Sequence, residues 1–258
     1  MRVHYITASF LLLVILSLHV AAQASLDQEK TDADKLYNEG NSLFRAGNYS
    51  AAIEKYHAAL ERAKDFKYYY QLGLAHKNSR QNVKAIAAFE EALKLKTDFS
   101  LGHNALGGTL LAERVYDKAI EAFKLALTHD PNMQKAVQGV TEAYAGQAQQ
   151  LLSDGKYELA GKLIDDAMGH AHADNPKLHL VAAMVYNKLD QPEKAIELAD
   201  EAIKLKKRGS KGAEYFEMGL AYKKLKDNEK ARAAFGEARK DPAYSRNAQY
   251  ELESLKGR

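Results

Sequence analysis

The chain has 258 residues, of which 46% are hydrophobic and 28% are charged, with four prolines, no tryptophan and no cysteine. This composition is typical of a helical soluble protein and excludes wholesale disorder, and the lack of cysteine excludes disulfides, thiolate metal sites and cysteine nucleophiles. A net charge of +3 is too small by itself to indicate nucleic-acid binding.

The first 24 residues differ from the rest of the chain. Arg2 and His4 precede an apolar run from Tyr5 to Val20, and an A-x-A pattern then ends at Ala24. These features predict a signal peptide at residues 1–24, and therefore an exported protein, periplasmic or secreted, that is soluble after signal removal. The alternative is an uncleaved membrane anchor at the N-terminus, although the run is shorter than the ~20 residues that a spanning helix needs. A polar lead at residues 25–32 follows.

The chain beyond this lead repeats one unit, and Ser100–Met133 is its clearest copy. Apolar residues at helical spacing predict two amphipathic helices joined by a short turn. Pro131 closes the unit, because proline does not continue one helix but suits the first position of the next. The helical pattern of this copy is carried by His103, Leu106, Gly107 and Leu110, and then by Tyr116, Ala119, Ile120, Phe123, Ala126 and Leu127.

Small residues return at near-constant intervals. An alanine at the start of each second helix recurs at spacings of 33, 34, 41, 35 and 36 residues. Glycine inside a helix costs about 1 kcal/mol relative to alanine, so its recurrence at one register predicts helix contacts too close for a side chain. The alanines are Ala52, Ala85, Ala119, Ala160, Ala195 and Ala231, and the glycine register holds Gly40, Gly73, Gly107 and Gly219, with Ala148 and Ala183 in the other two units.

This period is typical of a helical solenoid, and the residues resemble the tetratricopeptide repeat (TPR) family. Leu106-Gly107, Tyr116, Ala119, Phe123 and Pro131 match that family's pattern. The resemblance implies an all-α fold, a right-handed α-solenoid of about six helix–turn–helix units with a C-terminal capping helix. We place repeats 1–3 at residues 33–133, repeats 4–6 at residues 134–245 and the capping helix at residues 246–258.

One interval is seven residues longer than the family's 34. The 41 residues from Tyr116 to Tyr157 predict that the first helix of repeat 4 is extended across Gln134–Ser153. This extension is either an ordinary insertion or a division of the array into repeats 1–3 and 4–6. In the second case Gly139 and Gly146 would allow the helix to bend.

Candidates for chemistry are few. His76, His103 and His179 occupy packing positions of the first helices, and the pair His170 and His172, with Asp174, is a weak metal signal without a reliable further ligand. Asp165-Asp166 and Glu90-Glu91 are adjacent along a helix, so their carboxylates do not converge, and we interpret them as solvated faces. We therefore predict a protein that is not an enzyme and has no metal and no cofactor.

Positive charge concentrates late in the chain. Residues Lys204 to Lys240 include twelve Lys or Arg and five Asp or Glu, a net +7. These cations either favour helix C-termini through the helix dipole or contact an acidic partner or anionic envelope surface.

The family resemblance implies that the first helices line a concave groove. Rings supply contact area and amides can bond a peptide backbone, so such a groove suits an extended peptide. The alternative for each ring is packing against the next repeat. The groove positions are Tyr37, Asn41, Phe44, Tyr70, Leu74, Lys77, Asn78, Asn104, Gly108 and Leu111.

The subgroup of TPRs that binds chaperone tails grips a terminal carboxylate with lysine, asparagine and arginine. Here only Asn41 matches, so the clamp is absent; Tyr37, Gln71, Leu101 and Ala105 hold its other places. We predict a non-catalytic adaptor or scaffold of the cell envelope that binds a protein or peptide partner in its groove and does not bind nucleic acid. The alternatives are a self-assembling structural TPR protein and a trans-acting regulatory subunit of an envelope enzyme or secretion machine.

Overall fold

The computed structural model describes residues 2–169 and 174–256, and within them the regular structure is thirteen α-helices and no strand. The all-α fold class is confirmed. The helices are α1 (Arg2–Arg45), α2 (Tyr49–Arg62), α3 (Phe66–Asn78), α4 (Asn82–Leu95), α5 (Ser100–Ala112), α6 (Tyr116–His129), α7 (Gln134–Ser153), α8 (Tyr157–Met168), α9 (Pro176–Lys188), α10 (Pro192–Leu205), α11 (Gly212–Lys224), α12 (Asn228–Ala238) and α13 (Ser245–Ser254).

In chain order, the first twelve helices alternate as first and second members of six pairs, which is consistent with six repeat units. By its internal contacts the chain divides into two compact units, Met1–Thr109 and Leu110–Arg258. The repeat boundaries at residues 133 and 245 stay predictions.

The first unit packs its helices in pairs. Helix α2 lies against both α1 and α3, α3 packs on α4, and α1 also touches α3. Its core contains the fully buried rings of Tyr56 and Tyr68 together with Leu72 and small alanines. A second cluster joins Ala85, Phe89 and Ala105.

The second unit continues the same arrangement. The first helices α7, α9 and α11 contact one another in sequence, and α8, α10 and α12 pack beside them. Helix α13 packs on α12, where Ala248 and Leu255 are buried against Phe235. It is the helix expected at the C-terminal end, and it runs from Ser245 to Ser254. The predicted domain bounds 246–258 stay a prediction.

Glycines of the predicted register lie directly against aromatic rings of the paired helix. A Cβ added to Gly40 would lie 2.7 Å from Tyr56 Cε1, and one added to Gly219 would lie 2.6 Å from Phe235 Cε1. Both rings are 0% exposed. The sequence inference that these positions exclude a side chain is therefore confirmed, and the group that excludes it is a buried ring.

Helix α7 has the twenty residues Gln134–Ser153 expected from the long interval. Its two glycines, however, have a packing role that the sequence analysis did not anticipate. A Cβ at Gly139 would collide with the ring of Phe123, and one at Gly146 would collide with the ring of Tyr116. Because these glycines are seven residues apart, about two helical turns, they lie on one face of α7, where α6 comes close.

The six turns within the helix pairs share one geometry. Each contains one residue in the left-handed region, with φ between 57° and 77°. The amide of the next residue donates to a carbonyl five positions earlier, as in Gln81 N to His76 O and Asp227 N to Tyr222 O. This pattern is the Schellman ending of an α-helix. The left-handed residues are Gly47, Arg80, Arg114, Gly155, Asp190 and Lys226.

At the N-terminal end, α1 runs as one helix from Arg2 through the predicted lead and into the first repeat. Residues 23–31 of this helix are exposed. Among the described residues, no helix combines the length and apolar character needed to cross a membrane.

Candidate functional site

The rings predicted to line a groove in the first unit pack against other rings. The Tyr37 ring centroid lies 4.9 Å from that of Tyr68, and Phe44 lies 5.4 Å from Tyr49. Tyr70 lies 4.9 Å from Phe99. Tyr37, Phe44 and Tyr70 are half-buried, so much of their surface is already used in packing within the unit.

Two polar side chains predicted to line the groove of this unit already form hydrogen bonds within it. Asn41 Oδ1 accepts a hydrogen bond of 2.8 Å from Tyr56 Oη, and Asn78 Nδ2 donates one of 2.8 Å to the Leu74 carbonyl. Lys77 and Gly108 are brought together, since a Cβ added to Gly108 would lie 3.5 Å from Lys77 Nζ. The remaining candidates of this unit, Leu74 and Asn104, are half-buried, Leu74 against the cluster around Phe89. Leu111, which belongs to the second unit, is also half-buried.

The second unit contains a pocket of about 850 Å³ formed by its first helices α7, α9 and α11. We call it the α7–α9–α11 pocket. Its volume lies within the range typical of small-molecule sites. Its walls are Gln149, Leu152 and Ser153 from α7, Met184, Asn187 and Lys188 from α9, and Phe216, Glu217, Leu220, Lys223 and Lys224 from α11.

The apolar part of this pocket is made by Leu152, Met184, Phe216 and Leu220, all of them half-buried. Phe216 is fixed from behind, since its ring lies 5.6 Å from the ring of Phe235. Leu152 belongs to the last turn of α7. The extended length of this helix therefore supplies one wall of the pocket.

The polar part centres on Asn187 and Glu217. Asn187 is 5% exposed, and its Nδ2 donates to Glu217 Oε2 at 2.8 Å and to the Glu217 carbonyl at 2.9 Å. Burial raises the pKa of the Glu217 carboxyl, against the hydrogen bond from Asn187 and the charge of Lys188. The pocket thus holds a carboxyl group at the boundary between apolar surface and solvent.

Two of the three lysines in the pocket wall already have carboxylate partners. Lys223 Nζ lies 2.5 Å from Glu251 Oε2, and Lys224 Nζ lies 2.9 Å from Asp190 Oδ1. Lys224 also donates to the Asn187 carbonyl at 2.5 Å.

The α7–α9–α11 pocket was not predicted from the sequence. The predicted groove residues lie in repeats 1–3, whereas the helices of the pocket lie in the predicted repeats 4–6. Two signals were available: the basic stretch Lys204–Lys240 contains Lys223 and Lys224, and the long interval identified the extended α7.

The adjacent carboxylates of α8 do not converge, as predicted, but they are more than a solvated face. Asp166 Oδ2 accepts a 2.5 Å hydrogen bond from Tyr144 Oη of α7, and Asp165 accepts one from Tyr186 Oη of α9. The bond from Tyr186 lowers the pKa of Asp165. These two carboxylates therefore tie α8 to the first helices on either side of it.

The histidines predicted to pack are buried. Nδ1 of His76 lies 3.0 Å from Gln81 Oε1, Nε2 of His103 lies 2.8 Å from the Thr97 carbonyl, and Nδ1 of His179 lies 3.0 Å from the Asn175 carbonyl. His170 and His172 lie outside the described residues, and elsewhere no group of three His, Asp or Glu side chains is arranged to hold a metal ion.

Comparison with known proteins gives matches in both halves of the chain. A family model described as "Tetratricopeptide repeat" matches residues 37–98 and 70–133, and a second model with that description matches residues 176–208 and 215–238. Hsp70-Hsp90 organizing protein 1 of Glycine max is 30% identical over 109 residues, which is 42% of this chain and 19% of that protein. DnaJ homolog subfamily C member 3 of Gallus gallus is 27% identical over 228 residues, 84% of this chain and 44% of that protein. The chain therefore spans less than half the length of either relative.

Among solved structures, YrrB, described as a TPR protein with an unusual peptide-binding site, aligns with a TM-score of 0.55 at 14% identity. The alignment covers 77% of this chain and 97% of YrrB. At this identity the likeness shows the fold alone.

Proposed function

Because the chain is a member of the tetratricopeptide repeat family, we propose that it is a non-catalytic adaptor that holds a segment of a protein partner against its first helices. The observation that carries this proposal is the α7–α9–α11 pocket, where apolar side chains, an amide and a carboxyl group lie together. In ligand pockets generally, apolar surface supplies the affinity, and a few polar groups at fixed positions orient the ligand.

The relatives support a protein or peptide ligand. One is named for organizing Hsp70 and Hsp90, and a protein of the same fold is described by its peptide-binding site. Of the clamp residues that grip a terminal carboxylate, this chain has Asn41, and the Oδ1 atom of Asn41 accepts a hydrogen bond from Tyr56 Oη. We therefore place the partner outside the class of chaperone tails.

We further propose that the adaptor acts in the cell envelope. The basis is the signal pattern of residues 1–24, with its apolar run and the A-x-A ending at Ala24. Mass spectrometry of the chain recovered from its native host tests this proposal. We expect an N-terminus at Ser25, and a chain that keeps residues 1–24 would contradict cleavage.

A photo-crosslinking amino acid placed in the full chain tests the binding face. At Gln149, which is exposed and lines the pocket, it should form an adduct with a distinct protein in the native host. The matched control is Glu197, an exposed position of α10 outside the pocket wall. Equal adducts at both positions, or an adduct at Glu197 alone, would contradict the assigned face.

A further inference from the structure

The amide of Asn187 has an acceptor that receives no hydrogen bond within the described part of the chain. Its nitrogen faces two acceptors, the Oε2 and carbonyl oxygens of Glu217. Because an acceptor can pair only with a donor, this contact determines which end of the amide is nitrogen. Asn187 Oδ1 is consequently the remaining atom, and it is buried without a hydrogen bond from any described residue. A ligand that donates a hydrogen bond to this atom would lower the free energy, because a buried oxygen without a donor is unfavourable.

The half-buried carboxylate of Glu217 lies beside this amide and has no basic partner among the described residues. Asn187 donates to Oε2, and in the described part of the chain no lysine or arginine forms an ion pair with this group. Burial raises the pKa of Glu217, because it takes water away from the charged form. A cation arriving in the pocket would favour that charged form.

Two of the pocket lysines are neutralised by carboxylates, so their charges do not oppose an incoming cation. Lys223 pairs with Glu251 and donates to Ser254 Oγ at 3.1 Å, while Lys224 pairs with Asp190. Neither partner, Glu251 or Asp190, is a lining residue of the pocket. Once these pairs are formed, the described lining residues leave Lys188 as the one cation and Glu217 as the one carboxylate of the wall.

We propose that the α7–α9–α11 pocket binds an arginine side chain of the partner, with Glu217 and Asn187 as its acceptors. The guanidinium is planar and carries five N–H donors, so it can meet a carboxylate and an amide oxygen together. Its aliphatic stem would pack on the ring of Phe216 and on Met184, which line the same pocket. This inference rests on the proposed function, because it names the chemistry of the partner segment held in the same pocket.

Three short peptides with blocked ends test the proposal on the full chain: acetyl-Leu-Arg-Leu-amide, its citrulline analogue and its glutamate analogue. Citrulline keeps the shape of arginine but is neutral. The readout is the NMR signal of the Met184 methyl group, assigned with Met184→Leu, because this side chain lines the pocket. We expect saturable shifts with the arginine peptide and about tenfold weaker binding of the citrulline peptide, since a charge-assisted bidentate contact is lost.

Glu217→Gln should abolish the preference for arginine over citrulline. Glu237→Gln is the matched control, since Glu237 is an exposed residue of α12 paired with Lys240, and it should preserve the preference. Tighter binding of the glutamate peptide, an unchanged preference in Glu217→Gln, or no shift with any peptide would overturn the proposal. The adaptor function is decided separately by the crosslink at Gln149, so an adduct there without an arginine preference would refute this inference alone.

Discussion

Gly73 lies directly against the ring of Phe89: a Cβ added to this glycine would be 2.5 Å from Phe89 Cε1. The two residues are sixteen positions apart, and the same spacing joins Gly40 to Tyr56 and Gly219 to Phe235. Where the chain has alanine in place of this glycine, the residue sixteen positions later is Ile164 or Ala199 instead of a ring. The size of one residue thus compensates for the size of the other.

This compensation predicts a measurable coupling. Gly73→Ala should lower the free energy of unfolding by about 1–3 kcal/mol, because the buried ring has no room to shift. Phe89→Ile alone should also destabilise by leaving a cavity. In the double variant, which copies the Ala148 and Ile164 combination, the loss should be smaller than the sum by at least about 0.5 kcal/mol. Denaturant unfolding of all four proteins measures the coupling, and strict additivity would contradict the fit between the two positions.

The turn residues predict opposite effects for two substitutions. Arg80 has φ = 59° and is exposed, so Arg80→Gly should relieve backbone strain and raise the free energy of unfolding by about 0.5–1 kcal/mol. Gly47 has φ = 77°, and an added Cβ would meet no atom within 4 Å. Gly47→Ala should therefore cost about 1 kcal/mol through backbone conformation alone. Thermal or urea unfolding would refute the explanation if both changes moved stability in one direction.

His76 predicts a dependence of stability on pH. Burial lowers the pKa of its imidazole, against the hydrogen bond with Gln81, and the nearby charges of His57 and Lys84 lower it further. Because the unfolded chain takes up a proton at about pH 6.5 and the folded chain does so only at lower pH, this residue stabilises the fold above that pH. Its contribution falls as the pH drops from about 6.5 toward the folded pKa.

The variant His76→Gln keeps a polar side chain but does not titrate. Its free energy of unfolding should therefore fall less steeply than that of the wild type between pH 7 and pH 5. Parallel slopes over that range would show that protonation of His76 is not linked to folding.

Tyr186 predicts a cost for losing one hydroxyl group. Its ring is 2% exposed, so Tyr186→Phe retains the packing and removes the donor to Asp165. We expect a loss of about 0.5–1.5 kcal/mol in the free energy of unfolding. Tyr250→Phe is the control, because Tyr250 is 70% exposed, and it should have little effect. Equal small effects in both variants would contradict a stabilising role for the α8 carboxylates.

The helix pairs could be predicted from the sequence because helical periodicity and recurrent small residues are local signals. The extended α7 followed from a single spacing, and the burial of His76, His103 and His179 followed from their register. The hydrogen bonds of Asp165 and Asp166 could not be anticipated, because they depend on how far Tyr186 and Tyr144 project from neighbouring helices. The pocket was missed for a related reason: the distances among α7, α9 and α11 determine whether their exposed faces enclose a volume, and no single interval in the sequence reports them.

Helix α13 has a consequence for how such a protein can change in length. It covers the apolar edge of α12, with Leu255 2% exposed and its carbonyl accepting a 2.7 Å hydrogen bond from Arg232. The edge of α12 is covered by α13, so it is not open to a helix pair added after α13. A helix pair inserted between α12 and α13 could pack on that edge. Protein engineering that adds a repeat should therefore insert it between α12 and α13, so that α13 can pack on the new second helix as it now packs on α12.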